Sequence, residues 1–249
     1  MLRTIKNNII LIIFLAAFGL VGGYFTALYS IESLSADLLE ETVAQVGSVD
    51  VLIVITIIQA ALYSVVLGLI GKSIAEKIGL WQSFSVRVKP LVSVLLVSII
   101  GGAAMIFVDL YGFGAFNQQI ADSYLAKPTL NYFLSSVTYG GVVEEVMLRL
   151  FLMSLIAFIL MKISRNTEPT TQNLVIANVV AAAIFAAGHL PATATTLGLD
   201  ALLVARCFIM NGSFGIAFGR LYRKYGIGYA MLAHAGVHIV SKAIWWLLI

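Results

Sequence analysis

Two adjacent carboxylates, Glu144 and Glu145, interrupt an apolar stretch that reads Gly-Gly-Val-Val-Glu-Glu-Val-Met-Leu-Arg-Leu-Phe-Leu-Met, with Arg149 four residues beyond Glu145. A carboxylate at membrane depth costs roughly a few kcal/mol or more, so it turns to the protein interior and marks a functional site by default. On a helix, Glu145 and Arg149 lie one turn apart and form a natural ion pair. Glu144 points about 100° further round, free for other work. The bland reading, that both glutamates tie helices together, needs only one of them. The chain has three histidines. His189 closes the segment Phe185-Ala-Ala-Gly-His189-Leu-Pro and by itself reads as an ordinary helix-end residue. His234 and His238 are four apart and share one face of the last apolar run. Two imidazoles on one face in an apolar setting either bind a metal or act on a shared substrate.

The elements that must position these groups follow from composition. Of 249 residues, 61% are hydrophobic and 11% charged, and mean hydropathy is +1.01. These values exclude a soluble domain and indicate a polytopic helical membrane protein. A helix needs about 20 apolar residues to cross the hydrocarbon core. Runs at 8–30, 51–71, 91–111, 133–161, 174–189, 200–219 and 227–249 qualify, which gives about seven spans. The fourth is long enough to tilt strongly or to break near Gly140-Gly141. Pro90, Pro128, Pro169 and Pro191 fall at or beyond run ends, where a missing N–H is tolerated. The single cysteine, Cys207, precludes an internal disulfide. The first apolar run is too long for a signal peptide and lacks a clear cleavage site, so it reads as a retained anchor.

Loop charges alternate. Arg3, Lys6, Lys72, Lys77, Arg87, Lys89, Lys162, Arg165, Arg220, Arg223 and Lys224 fall on one side. Glu32, Asp37, Glu40, Glu41, Asp50, Asp122 and Asp200 fall on the other, with Lys127 the main basic exception. The positive-inside rule then makes the N-terminus cytoplasmic and the C-terminus external. Segments 34–46 and 73–89 read either as helices lying on the outer and inner interfaces or as partly ordered polar loops. Gly212, Gly215 and Gly219, and the alanines at 181–183, 186 and 187, suit close helix contact. Asn178 and Asn211 are placed to bridge helices, and Arg206 and Lys242 to snorkel from span ends. At about 1.5 Å per residue, Glu144 and His189 each lie roughly 27 Å from the cytoplasmic ends of their spans. His234 and His238 come out shallower, so tilt or a broken fourth helix must bring the groups together.

Taken in order on successive helices, Glu144-Glu145-x-x-x-Arg149, Phe185-x-x-x-His189 and His234-x-x-x-His238 resemble the CPBP family. This is the CAAX prenyl protease and bacteriocin-processing (ABI) family of intramembrane glutamic endopeptidases. The resemblance covers roughly residues 130–249, including Gly-Arg-Leu-Tyr-Arg-Lys-Tyr-Gly at 219–226. It implies an all-α polytopic membrane protein whose last four helices form the core bundle. The chain reads as one transmembrane domain, 1–249, with N-terminal helices at 1–129 and a catalytic core at 130–249. In this family's terms Glu144 is the general base that activates a water, assisted by His189. Glu145 with Arg149 supports it, and His234 with His238 donates to the oxyanion of a tetrahedral intermediate. One departure stands out, since the family's last motif usually ends in Asn or Asp where this chain has His238.

The function implied is a metal-independent endopeptidase of the cell membrane. Its substrate would be a membrane-associated peptide or protein, prenylated at a CAAX-type tail or, in a bacterium, a pheromone, leader or bacteriocin. No cofactor and no nucleic-acid partner are expected. Zinc held by His189, His234, His238 and a glutamate remains a lesser alternative, as does a non-catalytic immunity or scaffold protein. Other intramembrane protease types lack their motifs here. There is no His-Glu-x-x-His and no Gly-x-Gly-Asp, and the surroundings of Ser213 do not fit a serine nucleophile.

Overall fold

Inside a bilayer no water satisfies the backbone, so an apolar run of this length must bond within itself. The computed structural model describes residues 2–249, with side chains from Asn8 onward, and is all-helical; no strand occurs among the described residues. The basic pair Arg3 and Lys6 lies outside the described side chains. The elements are α1 (Leu2–Ser33), α2 (Ala36–Val46), α3 (Val49–Lys77), α4 (Val88–Phe113), α5 (Gln118–Ser123), α6 (Leu130–Ile163), α7 (Thr171–Gly188), α8 (Leu190–Leu197), α9 (Ala201–Tyr225) and α10 (Ile227–Leu248). Among the described residues seven stretches are long and apolar enough to cross a membrane: α1 from Asn8, α3, α4, α6, α7 with α8, α9 and α10.

The spans carrying the polar groups pack through small residues. A methyl group built on Gly141 would sit 2.8 Å from the Cβ of Ala235, so α6 and α10 touch almost backbone to backbone at that level. Gly215 meets Ala182 in the same way and joins α9 to α7, whereas Gly212 meets nothing. Such close approach is the usual source of helix association where lipid is as apolar as leucine. The first and third spans complete the bundle. α1 packs on α3 and α6, and α4 is the most extensive partner of α10. Asn178 bridges helices, its Nδ2 donating to Ile216 O at 3.0 Å, but Asn211 bonds back to Cys207 O within its own helix.

The fourth span does not break at Gly140-Gly141. Its winding widens instead to π-type turns over Ser136–Glu144 and Val146–Met153. Wide turns inside an α-helix are rare and cluster at functional sites. Here one ends on Glu144 and the next begins just after Glu145. The expected inner interfacial helix at 73–89 is also different. α3 continues to Lys77, Ile78 and Leu80 bury into the core, and an extended strap follows, held by Tyr229 donating to Ser85 O at 2.5 Å. Residues 36–46 do form a helix, N-capped by the Ser35 hydroxyl.

Arg206 does not snorkel. It grips Asp109 with two parallel bonds, Nε to Oδ1 at 2.5 Å and Nη2 to Oδ2 at 2.6 Å, tying α9 to α4. Tyr124 also donates to Asp109 Oδ2, at 2.9 Å. Burial, together with the neighbouring carboxylate, pushes the Tyr124 phenol far above its ordinary pKa and keeps it a donor. The basic exception Lys127 has a local reason: its Nζ donates to Trp245 O and Trp246 O, both at 3.3 Å, capping the end of α10. Arg206→Ala strands the buried Asp109 and is expected to lower stability by about 3–5 kcal/mol. The double change Asp109→Leu with Arg206→Met should recover most of that loss when unfolding is followed by SDS titration in mixed micelles. If the double variant is as unstable as the sum of its parts, the pairing does not hold α4 to α9.

Candidate active site

The site begins with Glu145, whose side chain is 0% exposed. Its Oε1 is shared by two partners. Arg149 Nη1 lies 2.9 Å away on the same helix, and His234 Nδ1 lies 2.8 Å away on α10. A carboxylate beside a guanidinium stays an acceptor, so His234 Nδ1 carries the proton and donates it to Glu145. The Arg149 N–H groups do not aim well at Oε1. Among the described residues Nη1, Nη2 and Glu145 Oε2 have no hydrogen-bond partner. What surrounds the guanidinium is aromatic: its carbon lies 4.5 Å from the Phe185 ring centre and 5.5 Å from that of Phe218. Those two ring faces stabilise a buried cation that water cannot reach.

The same two rings frame His234. Phe218 stacks on it with centres 4.4 Å apart, and Phe185 meets it edge-on at 6.0 Å. The imidazole is thus locked in its plane by α7 and α9 and in its tautomer by α6. With Nδ1 committed to Glu145, Nε2 points the other way, 4.0 Å from Glu144 Oε2 and 3.2 Å from His238 Nε2. Both Nε2 atoms face Gly140. A methyl group on that residue would lie 3.4 Å from His238 Nε2 and 3.7 Å from His234 Nε2. Glu144 itself is 22% exposed and is open where Glu145 is closed. The two adjacent carboxylates therefore differ completely in environment.

His189 sits in the junction between α7 and α8. Its Nδ1 lies 2.8 Å from Phe185 O, and since a carbonyl only accepts, Nδ1 carries the hydrogen and Nε2 presents its lone pair. Phe185 packs edge-on against its ring at 4.7 Å, so one aromatic residue borders both His189 and His234. No direct ion pair joins His189 to Glu144 among the described residues. Nor do any three His, Cys, Asp or Glu side chains there gather as metal ligands would.

Two features go beyond the sequence expectations. Glu145 does more than pair with Arg149, because it also orients His234. Lys242, expected to snorkel, is 2% exposed, with Nζ 3.2 Å from His238 Nδ1 and 4.1 Å from the Tyr132 ring centre. A signal was present, since Lys242 continues the 234, 238 spacing by one more turn. The aromatic frame of Phe185 and Phe218 carried no such mark, because aromatic residues in apolar helices usually serve only as core.

Residues 126–240 match the family model described as Type II CAAX prenyl endopeptidase Rce1-like. No curated protein and no solved structure matches the chain. The matched stretch contains Glu144, Glu145, Arg149, His189, His234 and His238 and ends short of Lys242.

The contrast between the two carboxylates is measurable as stability. Glu145→Gln leaves Arg149 buried without its counter-charge and is expected to cost about 3–5 kcal/mol. Glu144→Gln, at a part-exposed position with no close partner, should change stability by less than about 1 kcal/mol. Equal losses for both in SDS unfolding would contradict this assignment of environments.

Proposed function

The chain carries a type II CAAX prenyl endopeptidase Rce1-like family domain at residues 126–240, and on that premise we propose that it is an intramembrane endopeptidase using Glu144 as its base. The substrate is a membrane-associated peptide or protein, prenylated or otherwise lipid-anchored, and the nucleophile is water. One observation supports this reading above the others. Glu144 Oε2 and His234 Nε2 face each other at 4.0 Å, too far for a direct bond and close enough for one water to touch both.

The chemistry follows from the partners. Glu144 removes a proton from the bridging water as its oxygen attacks the peptide carbonyl, and later returns that proton to the departing amine. Charge develops on the carbonyl oxygen meanwhile and needs a donor. The facing pair of His234 and His238, 3.2 Å apart, holds an N–H at that spot. Glu145 lies behind His234 as the aspartate does in a serine-protease triad, holding the tautomer and favouring any imidazolium that forms. Arg149 balances Glu145, and His189 offers its Nε2 lone pair as a second acceptor beside the site. The basic loops that join α3 to α4 and α6 to α7 favour an N-terminus in the cytoplasm and a home in the cell membrane.

Glu144→Gln is expected to insert and fold while lowering cleavage of membrane-anchored peptides by about 10²–10⁴-fold. Retained cleavage would remove Glu144 from the mechanism, and an unchanged cellular phenotype would favour a non-catalytic binding protein. Cleavage should also survive a strong chelator. Loss of activity restored by added zinc would favour the metal-dependent alternative.

A further inference from the structure

The mechanism above leaves Lys242 without a role, although it is a buried lysine on α10 with no carboxylate within ion-pair distance among the described residues. Its amine has two neighbours. The Tyr132 ring lies 4.1 Å away on one side, and His238 Nδ1 lies 3.2 Å away on the other. Tyr132 is itself braced by stacking on Tyr29, with centres 4.5 Å apart. An aromatic face favours a cation, and an ammonium only donates hydrogen bonds. With Lys242 donating, His238 Nδ1 accepts, and the hydrogen of a neutral His238 ring sits on Nε2.

That hydrogen has one direction to go. His238 Nε2 lies 3.2 Å from His234 Nε2, which cannot carry a hydrogen of its own while the neutral ring gives Nδ1–H to Glu145. The donors and acceptors therefore run one way: Lys242 Nζ to His238, His238 Nε2 to His234 Nε2, His234 Nδ1 to Glu145 Oε1. Every imidazole nitrogen in the chain is used once. Reversing any one link places two hydrogens or two lone pairs against each other. Without a donor at position 242, His238 is free to carry its hydrogen on Nδ1 and to turn a lone pair toward the site.

We propose that Lys242 is a positioning residue that sets the tautomer of His238, so that its Nε2 carries a hydrogen, given to His234 Nε2 at rest and turned to the reacting carbonyl oxygen when substrate binds. This rests on the endopeptidase reading for its consequence in catalysis, and not for the tautomer itself. Lys242 touches neither water nor substrate; it acts through His238 alone.

The test has two readouts. The first is the tautomer, read from ¹⁵N–¹H correlation spectra of the full chain labelled at histidine and held in nanodiscs. The wild type should show His238 as Nε2–H, Lys242→Arg should keep that form, and Lys242→Met should shift it to Nδ1–H or a mixture. An unshifted His238 in Lys242→Met overturns the proposal, whatever any cleavage assay gives. The second is kinetic. Lys242→Met should lower kcat for a membrane-anchored peptide at least tenfold with little change in KM. An asparagine donates through its amide without a tautomer to set. In the His238→Asn background, adding Lys242→Met should therefore change kcat less than twofold. The same loss in both backgrounds would show that Lys242 is structural and overturn the positioning role. A wild-type protein that cleaves nothing would defeat the endopeptidase reading and leave the tautomer result standing.

Discussion

A single carboxylate oxygen, Oε1 of Glu145, meets a guanidinium from its own helix and an imidazole from the last one. The group is fully enclosed, and in such a medium an unmatched charge is far costlier than in water. Four spans must therefore keep their positions together. α6 supplies the carboxylate and guanidinium, α10 supplies the imidazole, and α7 and α9 supply the rings of Phe185 and Phe218 that cover them. Loosening any one exposes a charge to lipid or strips it of its partner. This constraint explains why the glycines and alanines at the helix contacts matter to chemistry, since Gly141 against Ala235 sets the spacing across which Glu145 reaches His234.

The same constraint separates two chemically identical neighbours. Glu145 is committed to structure and orientation, and Glu144, one residue away, stays partly exposed. Two carboxylates forced into one environment would compete for a single proton, whereas opposite environments allow opposite roles. Adjacent residues on a helix diverge by about 100°, which is enough to give the two carboxylates different neighbours.

Polar groups elsewhere in the membrane follow a similar pattern of being paired or capped. Asp109 has Arg206 and Tyr124, Ser154 shares a bond with Tyr222 at 2.7 Å, and Lys242 has an imidazole and a ring face. At the end of the bundle near α5, Tyr124, Trp245 and Trp246 form a layer whose ring nitrogens donate to Tyr124 O and Pro128 O.

Much of this protein is written in its residues directly. The number of helices follows from apolar run length, because a bilayer leaves backbone groups no alternative to bonding within the run. Glu144, Glu145, Arg149 and the histidines stood out as site candidates because charge and imidazole are expensive at that depth. What the chain alone did not reveal was which of these groups touch. Lys242 and Arg206 looked like snorkelling residues by their distance from a helix end, but Tyr132 and Asp109, which they meet, lie more than 90 positions away. Likewise, the direction of each hydrogen bond depends on which group sits opposite. Composition and spacing decide what must be buried; only the packed bundle decides against what, because hydrogen bonds and tautomers respond to separations far smaller than one residue's rise along a helix.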